Sequence, residues 1–61
     1  MISIEVQDQF GKWHRYTTVS PNASSIANAL KTALKTQLAS KSKKARAVDQ
    51  KTGQVIDFLQ G

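Results

Sequence analysis

The chain has 61 residues, no cysteine, and a formal net charge of +5 from nine Lys and Arg against four Asp and Glu. We expect one domain spanning residues 1–61, and a chain of this length buries only about 60% of its unfolded surface. The lack of cysteine excludes disulfides and thiolate metal sites, and a single histidine excludes a histidine cluster for a metal. Oligomerisation is the remaining way to stabilise so small a fold.

The sequence contains no membrane or export signal. No run of about 18 apolar residues is present, and Met1 leads directly into a strand pattern without a basic or apolar leader region. We therefore expect no membrane association, no signal peptide and a cytoplasmic location.

The first 19 residues predict a β-hairpin. Residues 2–7 alternate apolar and polar side chains, and residues 12–19 are rich in aromatic and β-branched types. Gly11 stands where a three-residue hairpin loop requires a left-handed residue, so Asp8 is expected to pair with Lys12. Continuing this pairing brings the apolar side of the first strand opposite His14, Tyr16 and Thr18. The other side of the sheet then carries Trp13, Arg15, Thr17 and Val19.

The central segment, residues 21–39, predicts the only full-length helix. Ser20 or Asn22 is expected to cap it, with Pro21 at the first helical position. Its apolar side chains recur at steps of three and four residues and form one stripe, which the sheet must cover. These side chains are Ile26, Ala29, Leu30, Ala33, Leu34 and Leu38.

A second hairpin follows, with strands at residues 45–50 and 54–59 and Gly53 in the turn. The expected fold is therefore α+β, in the order ββαββ: a four-stranded antiparallel sheet with one helix packed on one face. Pairing Val48 with Ile56 and Arg46 with Phe58 decides which residues the helix covers. We expect it to cover Ile2, Ile4, Val6, Tyr16, Val48, Ile56 and Phe58.

That assignment leaves an apolar surface uncovered, formed by Trp13, Val19, Ala45, Ala47, Val55 and Leu59. Contiguous exposed apolar surface usually marks an interaction site, and closed two-fold dimers are the commonest oligomers. The sequence thus favours a non-enzymatic binding module that forms a homodimer through this face. The expected interface residues are Trp13, Arg15, Val19, Ala47, Val55 and Leu59.

Trp13 has three interpretations: a stacking platform for an unpaired base, an anchor of a protein interface, or an ordinary packing residue. On the expected pairing it shares its face with Glu5, Asp49 and Asp57, and these carboxylates would repel a nucleic-acid backbone. The interface anchor is therefore the preferred interpretation.

The basic residues support a second hypothesis. Five of the nine Lys and Arg lie between Lys35 and Arg46, and such an asymmetry makes phosphate backbones plausible partners, although solubility alone also explains many basic surfaces. A nucleic-acid accessory protein would contact phosphates through the end of the helix and the following loop. The candidate contacts are Lys31, Lys35, Lys41, Lys43, Lys44 and Arg46.

Catalysis is the least favoured class. As a general base His14 would need an orienting carboxylate and a substrate pocket, and a lone strand histidine is more often a partly exposed packing residue. Asp49 and Asp57 flank the second turn and are expected to form local hydrogen bonds or pair with Arg15 or Lys51. No glycine-rich phosphate loop is present, and we expect no catalytic residue, metal, cofactor or small-molecule substrate.

The segments DQFGKWHRYTT and RAVDQKTGQVIDFL resemble those of short bacterial and phage proteins with a hairpin–helix–hairpin pattern. The shared features are an aspartate–glycine turn followed by tryptophan, and a closing hairpin with aspartate on both strands. The resemblance covers both hairpins, about half of the chain. It implies the ββαββ fold and no particular activity or functional residue.

Overall fold

The structure is a computed structural model that describes residues 1–35 and 44–60. Its elements are β1 (Ile2–Gln7), β2 (Trp13–Val19), α1 (Ala23–Leu34), β3 (Lys44–Asp49) and β4 (Val55–Gln60). The strands form one antiparallel sheet in the order β2-β1-β3-β4, so β1 and β3 are central and β2 and β4 are the edges. This confirms the predicted α+β fold with the element order ββαββ.

Both hairpins turn on a glycine in the left-handed region, as predicted. Gly11 has φ 85° and Gly53 has φ 76°, which an L side chain adopts only with strain. In the first hairpin the amide of Asp8 donates to the carbonyl of Lys12 at 2.8 Å, so the predicted closing pair is present.

The helix begins at Ala23, two residues later than the sequence suggested. Asn22 is the N-cap, and its side-chain oxygen accepts hydrogen bonds from the amides of Ser24 and Ser25 at 2.9 and 3.3 Å. Pro21 therefore lies outside the helix and not at its first position. The helix ends at Leu34 with Lys35 as C-cap, whereas the predicted end at residue 39 lies outside the described residues. Within the described residues no helix is long and apolar enough to cross a membrane.

The core lies between α1 and the two central strands. The helix contributes Ile26, Leu30 and Ala33, which are buried with their stripe facing the sheet. From β1 come Ile2, Ile4 and Val6, and from β3 come Ala45 and Ala47. The layer beneath the helix therefore combines large side chains from β1 with two small ones from β3.

A β-bulge in β2 changes the predicted register of the first hairpin. Val6 pairs with His14 as expected, but Ile4 pairs with Thr17 and Ile2 with Val19, so Tyr16 is the extra residue. A bulge shifts every later residue to the opposite face. Val19, predicted on the uncovered face, therefore lies on the helix side and is partly buried against the core.

The prediction of which residues in the second hairpin the helix covers is wrong. Ala45, Ala47 and Leu59 face the helix, whereas Ile56 and Phe58 are 46% and 48% exposed. Two relationships cause this: Ile4 pairs with Ala47 across the central strands, and a bulge at Ile56 pairs Val48 with Val55. On β3 the helix packs against the two alanines, and Arg46, Val48 and Phe58 point to the other side.

We call the side of the sheet away from α1 the open face. The register aligns four of its residues in one line across all four strands: Arg15 opposite Glu5, Glu5 opposite Arg46, and Arg46 opposite Phe58. We call these four the central row. Trp13 pairs with Gln7 and Lys44 with Gln60 on one side of the row, and Val48 pairs with Val55 on the other.

Candidate functional site

The centre of the open face is an ion pair that packs against a tryptophan. Arg46 Nε donates to Glu5 Oε1 at 2.6 Å, and both side chains are only partly exposed, 29% and 23%. The guanidinium carbon of Arg46 lies 4.1 Å from the centroid of the Trp13 ring. This distance is within the range of a cation–π contact. The two residues lie on β2 and β3, which flank β1 and present them on the same face.

The open face is basic. Arg15, Lys44 and Arg46 lie on it with one carboxylate, Glu5, and among the described residues Arg15 makes no ion pair. The aspartates Asp49 and Asp57 instead pair with Ile2 and Ala47, which places them in register with the helix side. The register thus separates two of the four carboxylates of the chain from the open face.

Aromatic and apolar surface accompanies these charges. Phe58 is 48% exposed and stands at the end of the central row, on the edge strand opposite to that of Trp13. Val55 is 47% exposed on the same face. Across the sheet, Trp13 and Phe58 are separated by three inter-strand spacings, roughly 14 Å, and they are also offset by two residues along the strands. The open face therefore offers two aromatic surfaces with cations between and beside them.

The structure separates the residues predicted as a protein interface. Trp13, Arg15 and Val55 do lie together on the open face, whereas Val19, Ala47 and Leu59 lie on the helix side. Sequence reasoning missed Phe58, and it placed Arg46 with the helix-covered residues. Their pairing with each other was predicted correctly, so the missing information was which side of that pair the helix covers.

The basic residues predicted to contact nucleic acid do not form one surface in the part of the chain that the structure describes. Lys31 and Lys35 are exposed on α1 and at its C-cap, whereas Lys44 and Arg46 lie beyond the sheet on the open face. Lys41 and Lys43 lie outside the described residues. The helix lysines and the strand cations therefore face different directions, and only the latter accompany aromatic side chains.

His14 and Asp8 form a second polar pair, at the base of the first hairpin. His14 Nε2 lies 2.6 Å from Asp8 Oδ2, and because a carboxylate only accepts, Nε2 carries the proton. The amides of Phe10 and Lys12 donate to Asp8 Oδ1, each at 2.9 Å. The hydrogen bond from His14, followed by that from the Lys12 amide, lowers the pKa of Asp8 below its usual 3.8. The arrangement fixes the loop that carries Phe10, which is 84% exposed.

The other two aspartates also make local hydrogen bonds. Asp49 Oδ1 accepts from the amide of Lys51 at 2.8 Å, as expected for a turn residue. Asp57 Oδ1 accepts from the amide of Phe58 at 2.8 Å. In the described chain, no three His, Cys, Asp or Glu side chains come together as a metal-binding group.

No family model matches the chain, and no curated protein or solved structure matches it significantly. The resemblance to short bacterial and phage proteins of hairpin–helix–hairpin pattern stays a prediction.

Proposed function

We propose that this chain is a non-enzymatic binding module that holds unpaired, single-stranded nucleic acid on the open face. The observation that carries the proposal is the register, which aligns Arg15, Arg46 and Phe58 on one face with Trp13 and Lys44 beside them. The sequence-based objection to this use of Trp13 was the presence of Glu5, Asp49 and Asp57 on its face. Glu5 does lie there, bonded to Arg46, but Asp49 and Asp57 both pair with helix-side residues, so two of the three repelling charges are absent from the open face.

Each part of the open face matches a part of a single strand. Aromatic rings stack on exposed bases irrespective of sequence, and each such contact contributes about 1–3 kcal/mol. Arginine and lysine neutralise phosphates and release counterions, which makes affinity fall with salt. A duplex hides its bases inside the stack and offers only its backbone and groove edges to this sheet. The aromatic surfaces therefore favour an unpaired strand over a duplex.

The test compares binding of single-stranded and duplex oligonucleotides by fluorescence anisotropy at two salt concentrations. We expect tighter binding of single strands, with bound bases changing the emission of Trp13, the only tryptophan. Arg15→Ala should weaken binding and lower the salt slope by about one. Lys51→Ala, which removes an exposed cation from the loop between β3 and β4, is the matched control and should bind as the wild type does.

Two results would count against the proposal. Equal weakening by Arg15→Ala and Lys51→Ala would mean that net charge, and not the open face, attracts the ligand. Weakening by Lys31→Ala but not by Arg15→Ala would instead support the helix footprint predicted from the sequence.

A cytoplasmic location stays a prediction.

Homodimerisation is a second candidate, favoured by the exposure of Val55, Ile56 and Phe58, each about half exposed along β4. A second copy of this small domain would bury these side chains. Sedimentation over a dilution series tests it: a dimer that persists on dilution and dissociates in Phe58→Lys supports this candidate. A wild-type monomer at all concentrations excludes it and leaves the open face accessible to a strand.

A further inference from the structure

We infer that Glu5 is a built-in competitor of phosphate: its carboxylate occupies the anion position of Arg46 and lowers the affinity of the open face for nucleic acid. This inference rests on the proposed function and concerns the regulation of the same site. It assigns the one carboxylate of the central row a role other than fold stability.

The placement of Glu5 supports this role. It lies on the central strand β1 with an arginine opposite on each side, Arg15 on β2 and Arg46 on β3. Of these two arginines, Arg46 is the one bonded to it, through Nε at 2.6 Å. The carboxylate therefore lies in the middle of the most basic line of the sheet, where a phosphate crossing the strands would meet both arginines.

A phosphate and this carboxylate require the same partner. Guanidinium groups bind both anions through the same N–H donors, so a phosphate oxygen can replace Glu5 Oε1 without a change in the chemistry at Arg46. Partly exposed ion pairs are weak because solvent screens them, and both side chains here are reached by water. The contact is thus strong enough to hold Arg46 in place and weak enough for a ligand to displace.

The same contact controls Trp13. While Glu5 holds Arg46, the guanidinium remains 4.1 Å from the centre of the indole ring and competes with a base for that part of the surface. Transfer of Arg46 to a phosphate would free the ring face on which a base stacks. Glu5 therefore affects two contacts of the strand, one at the phosphate and one at the base.

The experiment uses Glu5→Gln, which keeps an oxygen that accepts from Arg46 Nε but removes the charge. We expect single strands to bind about two- to fivefold more tightly than to wild type, the factor corresponding to one exposed ion pair. The salt slope should become steeper by about one, because Arg46 then contributes a full phosphate contact. The matched control is Asp57→Asn, which makes the same change of net charge on the helix side of the sheet.

A double-mutant cycle tests whether Glu5 acts through Arg46. In a protein that already carries Arg46→Gln, adding Glu5→Gln should tighten binding no more than adding Asp57→Asn does. The reason is that Glu5 then has no Arg46 for which to compete with phosphate. Urea unfolding of each variant verifies that the fold is retained, and Glu5→Ala takes the place of Glu5→Gln if that variant fails this check.

The outcomes distinguish the two proposals. A gain in Glu5→Gln that exceeds the gain in Asp57→Asn and disappears without Arg46 supports the inference. Binding by wild type with an equal gain in both variants, or a loss in Glu5→Gln, overturns the inference and leaves the proposed function intact. If neither wild type nor Glu5→Gln binds single strands at low salt, the proposed function fails and the inference with it.

Discussion

Ile4 of β1 lies directly opposite Ala47 of β3, and both side chains are completely buried under α1. This pair joins the two hairpins, so it determines which face of β3 the helix covers. It also sends the neighbours of Ala47 in the chain, Arg46 and Val48, to the open face. The residues on the open face therefore follow from the same register that buries this pair.

The first prediction tests that register. Ala47→Leu adds three carbon atoms beneath the helix, and overpacking of this kind costs about 1–3 kcal/mol of the free energy of unfolding. Val48→Leu adds one carbon on the open face and should change stability little. Urea denaturation of both variants measures the difference. A destabilised Val48→Leu with an unchanged Ala47→Leu would contradict the register.

The second prediction concerns the helix N-terminus, where the sequence allowed either Ser20 or Asn22 as the cap. The side chain of Asn22 accepts two amide hydrogen bonds, so Asn22→Ala should destabilise the fold by about 1 kcal/mol. Ser20→Ala is the control and should have little effect on the midpoint of thermal unfolding. A lower midpoint for Ser20→Ala than for Asn22→Ala would mean that Ser20 is the cap.

These contacts show which features local sequence can predict. Alternation in β1, the helical stripe and the two turn glycines depend on neighbours within a few residues, and all of them led to the correct elements. The bulges at Tyr16 and Ile56 do not follow from alternation, because they arise from pairing with a partner strand. The second hairpin has apolar side chains on both faces, so its pattern is compatible with either covering.

Contacts between segments that are distant in the sequence decide which face of the second hairpin lies under the helix. The helix packs on Ala45 and Ala47 because these small side chains complement the large ones on β1, and no local pattern of β3 carries that information. As a result the elements and the hairpin pair Arg46–Phe58 were predicted, whereas the side on which this pair lies was not. The candidate site could not be recognised before that side was known.

The third prediction concerns pH and Asp8. Its pKa is lowered in the folded state by the hydrogen bond from His14 and by the Lys12 and Phe10 amides. A carboxyl whose pKa falls on folding stabilises the protein above its unfolded pKa, and this contribution is lost as the pH falls through the folded value. Wild type should therefore lose stability below about pH 3.8, the ordinary value for this group.

Asp8→Asn isolates this effect. The asparagine keeps an oxygen that accepts from the amides of Phe10 and Lys12, but it has no charge to titrate. Wild type should be more stable than Asp8→Asn near neutral pH, and the difference should shrink as the pH falls through the lowered pKa. Urea unfolding at a series of pH values measures it. A difference in stability that stays constant down to low pH would mean that it comes from the shape of the side chain and not from its ionisation.

The fourth prediction concerns the exposed edge of the sheet. β4 is an edge strand, and an edge strand with apolar side chains is a template for pairing with another chain. Val55, Ile56 and Phe58 make this edge apolar, but the Asp57 carboxylate accepts the amide hydrogen of Phe58 at 2.8 Å. We therefore expect Asp57 to protect the edge against association by occupying one of its donors.

Asp57→Ala removes this acceptor and should increase self-association, which light scattering or sedimentation velocity over a concentration series would measure. Asp57→Asn keeps an acceptor oxygen and separates the hydrogen bond from the charge. If the hydrogen bond protects the edge, Asp57→Asn remains close to wild type and only Asp57→Ala associates. If both variants associate equally, the negative charge of Asp57 at the edge is the protecting effect, because Asp57→Asn still covers the Phe58 amide. An Asp57→Ala protein that associates no more than wild type would mean that the bulge at Ile56 alone keeps the edge from pairing.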